Sequence, residues 1–151
     1  MKKINIILLV IWMIIIFLFS SETGAESSGK SDPLAHNIVS TISELTDVDY
    51  DKLYSKIDIV ITIIRKSAHF IEYFILGILV IRVLKDYNNI SNKLCIIGLI
   101  ICFLYSCSDE IHQIFVPDRS GELKDVLLDT SASCISIYVY YYIYKLKHKN
   151  S

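Results

Sequence analysis

Four long apolar runs leave a chain of this size few ways to fold. They are Ile4–Phe19, Ile57–Leu84, Leu94–Ser108 and Val126–Leu146, the last more polar at its start and rich in tyrosine. A spanning helix needs about 20 mostly apolar residues, and within lipid the backbone must satisfy its own hydrogen bonds. In 151 residues these runs are too long and too numerous for the buried helices of a soluble domain. Mean hydropathy is +0.48, yet 21% of the residues are charged, so apolar and charged residues must be segregated along the chain. The expected fold class is all-α: an integral membrane four-helix bundle forming one domain over 1–151, multi-pass in the cell membrane. Its spans are expected at about 4–20, 59–84, 94–113 and 124–146.

Orientation follows from the basic residues. With four spans, Lys2, Lys3, Arg82, Lys85, Lys93, Lys145, Lys147 and Lys149 all fall on one side, and of the sixteen acids only Asp86 joins them. Both termini are therefore expected in the cytoplasm. Tyr138, Tyr140, Tyr141, Tyr142 and Tyr144 then form an aromatic belt at the inner interface. The first run also resembles a secretory signal, but its 16-residue apolar core exceeds the usual h-region, which favours an uncleaved anchor.

The outer loop, about 21–57, begins with a small, polar stretch expected to be irregular. Asp32-Pro33 then reads as an N-cap with proline at the first helical position. Leu34, Ile38, Ile42 and Leu45 recur at helical spacing, giving one amphipathic helix expected to rest on the membrane or on the bundle. A net charge of −1 without a basic patch argues against nucleic acid. The four cysteines all lie inside apolar runs with no CxxC pair, so neither disulfides nor thiol-ligated zinc are expected. Nucleotide-binding glycine loops and a G-x-S-x-G elbow are missing too.

The polar residues at membrane depth are the unusual feature, since ionisable groups there are costly and are usually paired or functional. On the second run Arg65, His69 and Glu72 share a helix face. The third ends in Asp109-Glu110-Ile111-His112-Gln113, a turn carries Arg119, and the fourth opens with Asp125 and Asp129 one turn apart. Antiparallel helices bring all of these to one level. With Lys66, three cations, five carboxylates and two imidazoles then share one membrane depth.

The strings R-K-S-A-H-F-I-E-Y, S-D-E-I-H-Q-I-F-V-P-D-R-S-G and D-V-L-L-D-T resemble the signature segments of the VanZ-like family, as does the Phe19-Ser20-Ser21 exit from the first run. The likeness runs in order over nearly the whole chain. The family pattern falls here on Arg65, His69, Glu72, Asp109, Glu110, Gln113, Arg119 and Asp125. The chain departs from it at Glu22, where a glutamine is common, at Asp129, where an asparagine is usual, and at Ser131-Ala132-Ser133, where a glycine is common. The resemblance implies a membrane protein of the Gram-positive cell envelope that affects teicoplanin susceptibility.

Several readings of the cluster fit its residues. It can be an ion-pair network with Arg65 and Arg119 each facing carboxylates. It can engage an anionic lipid or cell-wall precursor through Arg65, Lys66 and Arg119. As a membrane enzyme it would act on a lipid-linked or phosphate-bearing substrate, with His69 or His112 and a neighbouring acid doing acid–base work. His69-x-x-Glu72 and Asp109-x-x-His112 have ligand-like spacing, but the fixed cations nearby weigh against a metal, so no metal or cofactor is expected. Binding without catalysis is the favoured functional reading.

Overall fold

A computed structural model describes residues 2–46 and 48–148; Lys149, assigned above to the cytoplasmic tail, lies outside them. The described residues form six helices: α1 (Lys2–Ser20), α2 (Gly24–Thr46), α3 (Tyr50–Tyr54), α4 (Ile57–Lys85), α5 (Asn92–Gln113) and α6 (Leu123–Lys147). Four of them, α1, α4, α5 and α6, are long and apolar enough to cross a membrane. The fold is all-helical and the protein is multi-pass. Many large aliphatic side chains remain on its outside, Ile7, Ile14, Ile63, Ile100 and Ile143 among them, which a bilayer accepts and water does not.

The core lies where α4, α5 and α6 meet, around Tyr73, Leu76, Val80, Cys95, Cys102 and Ile137. Small residues bring two of these helices close. A Cβ at Gly77 would stand 2.2 Å from Ser136 Oγ and 2.8 Å from the Ser133 carbonyl oxygen, so α4 can approach α6 this closely only with glycine there. Ala132 and Ser133, in the stretch where the resemblance leads one to expect a glycine, are fully buried at this contact. Ser133 Oγ donates to the Tyr73 carbonyl at 3.0 Å, adding a polar tie between the same two helices.

The outer-loop helix differs from expectation. It starts at Gly24, eight residues before Asp32, and Pro33 lies inside it. The stretch expected to be irregular is helical because Thr23-Gly-Ala-Glu26 forms a capping box. Thr23 Oγ1 accepts from the Glu26 amide at 3.2 Å, and the Glu26 carboxylate accepts from the Thr23 amide at 2.8 Å. Pro33 cannot donate to the carbonyl of Gly29 one turn earlier, but Gly29 is exposed and that carbonyl can meet water. The helix lies against α4 and buries its small face, Ser31, Ala35 and Val39, while Leu34, Ile38, Ile42 and Leu45 are exposed.

Candidate functional site

One end of the bundle gathers the exit of α1, the first turns of α2, the upper part of α4, the end of α5 and the start of α6. The α5–α6 connection, predicted as a turn, closes it. The Arg119 amide donates to the Val116 carbonyl at 3.2 Å, with Pro117 and Asp118 as the central pair. Asp118 has φ 57°, the positive value that the third position of a type II turn requires. The turn is fastened to the α1–α2 junction. The Gly24 amide donates to the Pro117 carbonyl at 3.1 Å, and Arg119 Nε to the Glu22 carbonyl at 3.1 Å. A Cβ on Gly24 would fall 2.3 Å from the Asp118 carbonyl oxygen, so a glycine is needed for this approach.

Two cavities open beneath this clasp. The larger, of about 270 Å³, has an apolar wall of Phe19, Leu34, Ile64 and Ala68 and a charged wall of Glu22, Lys30, Arg65, His69, Glu72 and Arg119. The second, of about 200 Å³, is polar; Lys66, Gln113, Ser120, Glu122 and Asp125 line it together with Arg65, His69 and Arg119. Arg65, His69 and Arg119 thus border both.

The structure separates the predicted site residues into groups. Asp125 is ion-paired with Lys66, so that cation is used internally. Glu110 is buried, and its carboxylate accepts from the Glu122 amide at 2.8 Å, capping the start of α6. His112 lines neither cavity: its ring stacks on Phe17 at 4.6 Å and its Nε2 lies 3.0 Å from Ser21 Oγ, which fixes α5 against the exit of α1. Glu72 reaches the larger cavity with its side chain, while its backbone carbonyl accepts from Trp12 Nε1 at 2.9 Å. Asp109 and Asp129 are buried, at 4% and 0% exposure, and stand close to His69. Gln113 is buried, with an unpartnered Nε2.

The ion-pair reading expects Arg65 and Arg119 to face carboxylates; Glu22 and Glu72 share the larger cavity's wall with them, but neither arginine stands within ion-pair distance of a carboxylate. Among the described residues the salt bridges are Lys66–Asp125 and Lys30–Glu22, and neither arginine takes part. Burial, with the Arg65 guanidinium nearby, pulls Arg119 below its ordinary range against the opposing influence of Glu22, Asp109 and Glu110.

Sequence reasoning missed several contributors. Lys30 and Ser31 enter the site from the first turns of α2, which the Thr-x-x-Glu signature at 23–26 announces. Tyr73 and Ser106 hold the buried aspartates: Tyr73 Oη donates to Asp109 at 3.1 Å, and Ser106 Oγ to Asp129 at 3.0 Å. Tyr73 lies one residue beyond Glu72 in a motif already singled out, but no local pattern marks Ser106.

No curated protein and no solved structure matches the chain significantly. The model of the VanZ/LLP1 family does match, over residues 5–145, and so takes in all four spanning helices and every residue of the cluster. With the match covering nearly the whole chain, this multi-pass membrane protein belongs to the VanZ/LLP1 family.

Proposed function

We propose that the larger cavity holds an anionic amphiphile of the cell envelope, a lipid or lipid-linked wall precursor, and that the protein thereby alters how the surface meets lipophilic glycopeptides such as teicoplanin. One observation carries the reading: two arginines without carboxylate partners face a cavity whose other wall is apolar. The guanidinium fork suits phosphate or carboxylate oxygens, and Phe19, Leu34, Ile64 and Ala68 suit a hydrocarbon. The basic-residue map supports an outward-facing cavity, at the level of the headgroups.

The test has two arms. Purified protein in nanodiscs of phosphatidylcholine is titrated with phosphatidylglycerol, comparing wild type with Arg65→Lys and Arg119→Lys. Each lysine keeps the charge and loses the fork, so affinity should fall about tenfold. In parallel, teicoplanin susceptibility is measured in a Gram-positive host at matched membrane abundance. Unchanged anionic-lipid binding in both variants would remove the binding claim. A wild type indistinguishable from empty vector would remove the glycopeptide claim.

His69 borders both cavities with an unpartnered buried Nδ1, which favours the alternative of acid–base chemistry on the same amphiphile. The two readings part at His69→Ala: a catalytic site should lose all protection in the host, whereas a binding site should only weaken.

A further inference from the structure

We infer that His69, Asp109 and Asp129 form a divalent metal site of the zinc or manganese class, set in the bundle behind the lipid-sized cavity. The three residues come from α4, α5 and α6, and one ligand-type atom from each lies within 4.8 Å of the other two. Three helices converging their side chains on one point is how bundles build metal centres. In a tetrahedral site at about 2.1 Å, neighbouring ligand atoms stand about 3.4 Å apart, so the widest gap draws in by roughly 1.4 Å, within reach of side-chain rotation.

His69 and Asp129 each keep a buried ligand-type atom without a partner among the described residues. Asp129 is completely buried; Ser106 holds one of its oxygens, and the other has no hydrogen-bond partner. Asp109 is held in the same way by Tyr73 through one oxygen. His69 Nδ1 is buried and unpartnered. A hydroxyl fixing one oxygen of each carboxylate while the second points free is the arrangement that orients ligands around an ion. A carboxylate oxygen buried without a partner is otherwise costly.

Charge leads to the same place. Within the cluster Glu72, Asp109, Glu110, Asp125 and Asp129 outnumber Arg65, Lys66 and Arg119, five carboxylates to three cations. A doubly charged ion makes up that deficit. The fixed cations weighed against a metal in the sequence, but Lys66 is ion-paired with Asp125 and Arg119 is turned to the Glu22 carbonyl. Three protein ligands leave a coordination position open, and Gln113, buried with a free side-chain NH beside the polar cavity, can hold a water on it. One imidazole with two carboxylates selects borderline divalent ions over magnesium or calcium.

The experiment uses full-length protein in detergent, stripped with EDTA, then equilibrated with Zn²⁺ or Mn²⁺ and analysed by mass spectrometry of the metal content. Wild type should retain one ion per chain. Asp129→Asn and His69→Gln should each bind at least tenfold more weakly, Ser106→Ala by a smaller factor, and Lys85→Gln, at the other end of the bundle, as wild type. Should the variants fail to fold, Mn²⁺-loaded wild type alone decides the matter, since pulsed electron paramagnetic resonance must show nitrogen coupling from the His69 imidazole. A wild type that keeps no metal, variants that bind as tightly as it does, or bound Mn²⁺ without nitrogen coupling would each overturn the site.

Discussion

The two ends of this bundle solve the same problem, polar side chains beside a membrane, in opposite ways. At the end where α1 begins and α6 finishes, polar groups are matched. Asn5 donates to Asp86 at 2.6 Å and accepts from Arg82 at 3.1 Å. Lysines lie over tyrosine rings, Lys85 at 4.3 Å from Tyr144, Lys145 at 4.7 Å from Tyr141 and Lys2 at 4.8 Å from Tyr87. Such pairs are modest anchors, each contributing about 0.5–1 kcal/mol where exposed. At the other end, His69 Nδ1, Gln113 Nε2, Asp129 Oδ1 and Ser20 Oγ are buried without partners, and no such atom occurs at the tyrosine end among the described residues. Orphaned polar atoms are expensive, so an end that accumulates them is shaped for something other than its own stability. The contrast sets a matched end against an unmatched one within one short chain.

The strongest way to break this comparison is to push apart the helices that create the cluster. Gly77→Val places side-chain atoms against the Ser133 backbone and should destabilise the protein by about 3 kcal/mol. Thermal unfolding in detergent checks this. Unaltered melting with anionic-lipid binding retained would mean that close α4–α6 approach is not what assembles the site.

A smaller effect sharpens it. In metal-stripped protein, Asp129→Asn replaces a fully buried carboxyl, one oxygen of which has no partner, by a neutral amide that can still accept from Ser106, and should stabilise the fold by about 1–2 kcal/mol. At the tyrosine end, Lys85→Gln should instead cost about 0.5 kcal/mol by removing a cation over the Tyr144 ring. Melting curves of the two variants should move in opposite directions. If Asp129→Asn destabilises as Lys85→Gln does, the carboxylates at the cluster end are structural after all.

The smallest effect is local. The hydrogen bonds from Thr23 hold the Glu26 carboxyl below its ordinary value of 4.5. A group lowered on folding stabilises fully above its unfolded value, and that contribution disappears as pH falls through the folded one. The first turn of α2 should therefore stay protected near neutrality and fray only below about pH 4. Hydrogen exchange of the 24–28 amides measures it, and Glu26→Gln should remove the pH dependence. Protection that does not change on acidification would mean that the capping box does not hold the turn.

Much of the fold could be read in the chain because apolar length and spacing depend on local sequence alone, and the four spanning helices follow from them. The start of α2 was also legible in Thr23 and Glu26, but Asp32-Pro33 offered a competing signal. A proline is tolerated inside this helix because the carbonyl it leaves free is exposed. The cluster was legible only as a level. Which members meet depends on how each helix is rotated about its axis. His112 and Asp109 share a face by spacing, yet His112 is drawn to Phe17 while Asp109 joins His69 and Asp129. That rotation is fixed by contacts distant in sequence, such as Gly77 against Ser133, which no motif records.

The clasp between Glu22–Gly24 and Pro117–Arg119 also sets a schedule for biogenesis. Its bonds join residues as much as 97 positions apart, so the junction that emerges early from the ribosome has no partner until the α5–α6 turn is made. At about 5–20 residues per second, that interval is roughly 5 to 20 s. For that time α1 and α2 are inserted, or waiting at the membrane surface, with their charged junction unclosed. The site is therefore completed only once α6 has been made, and a chain truncated before α6 carries all three of the cluster's cations, Arg65, Lys66 and Arg119, without the fold that gathers its carboxylates around them.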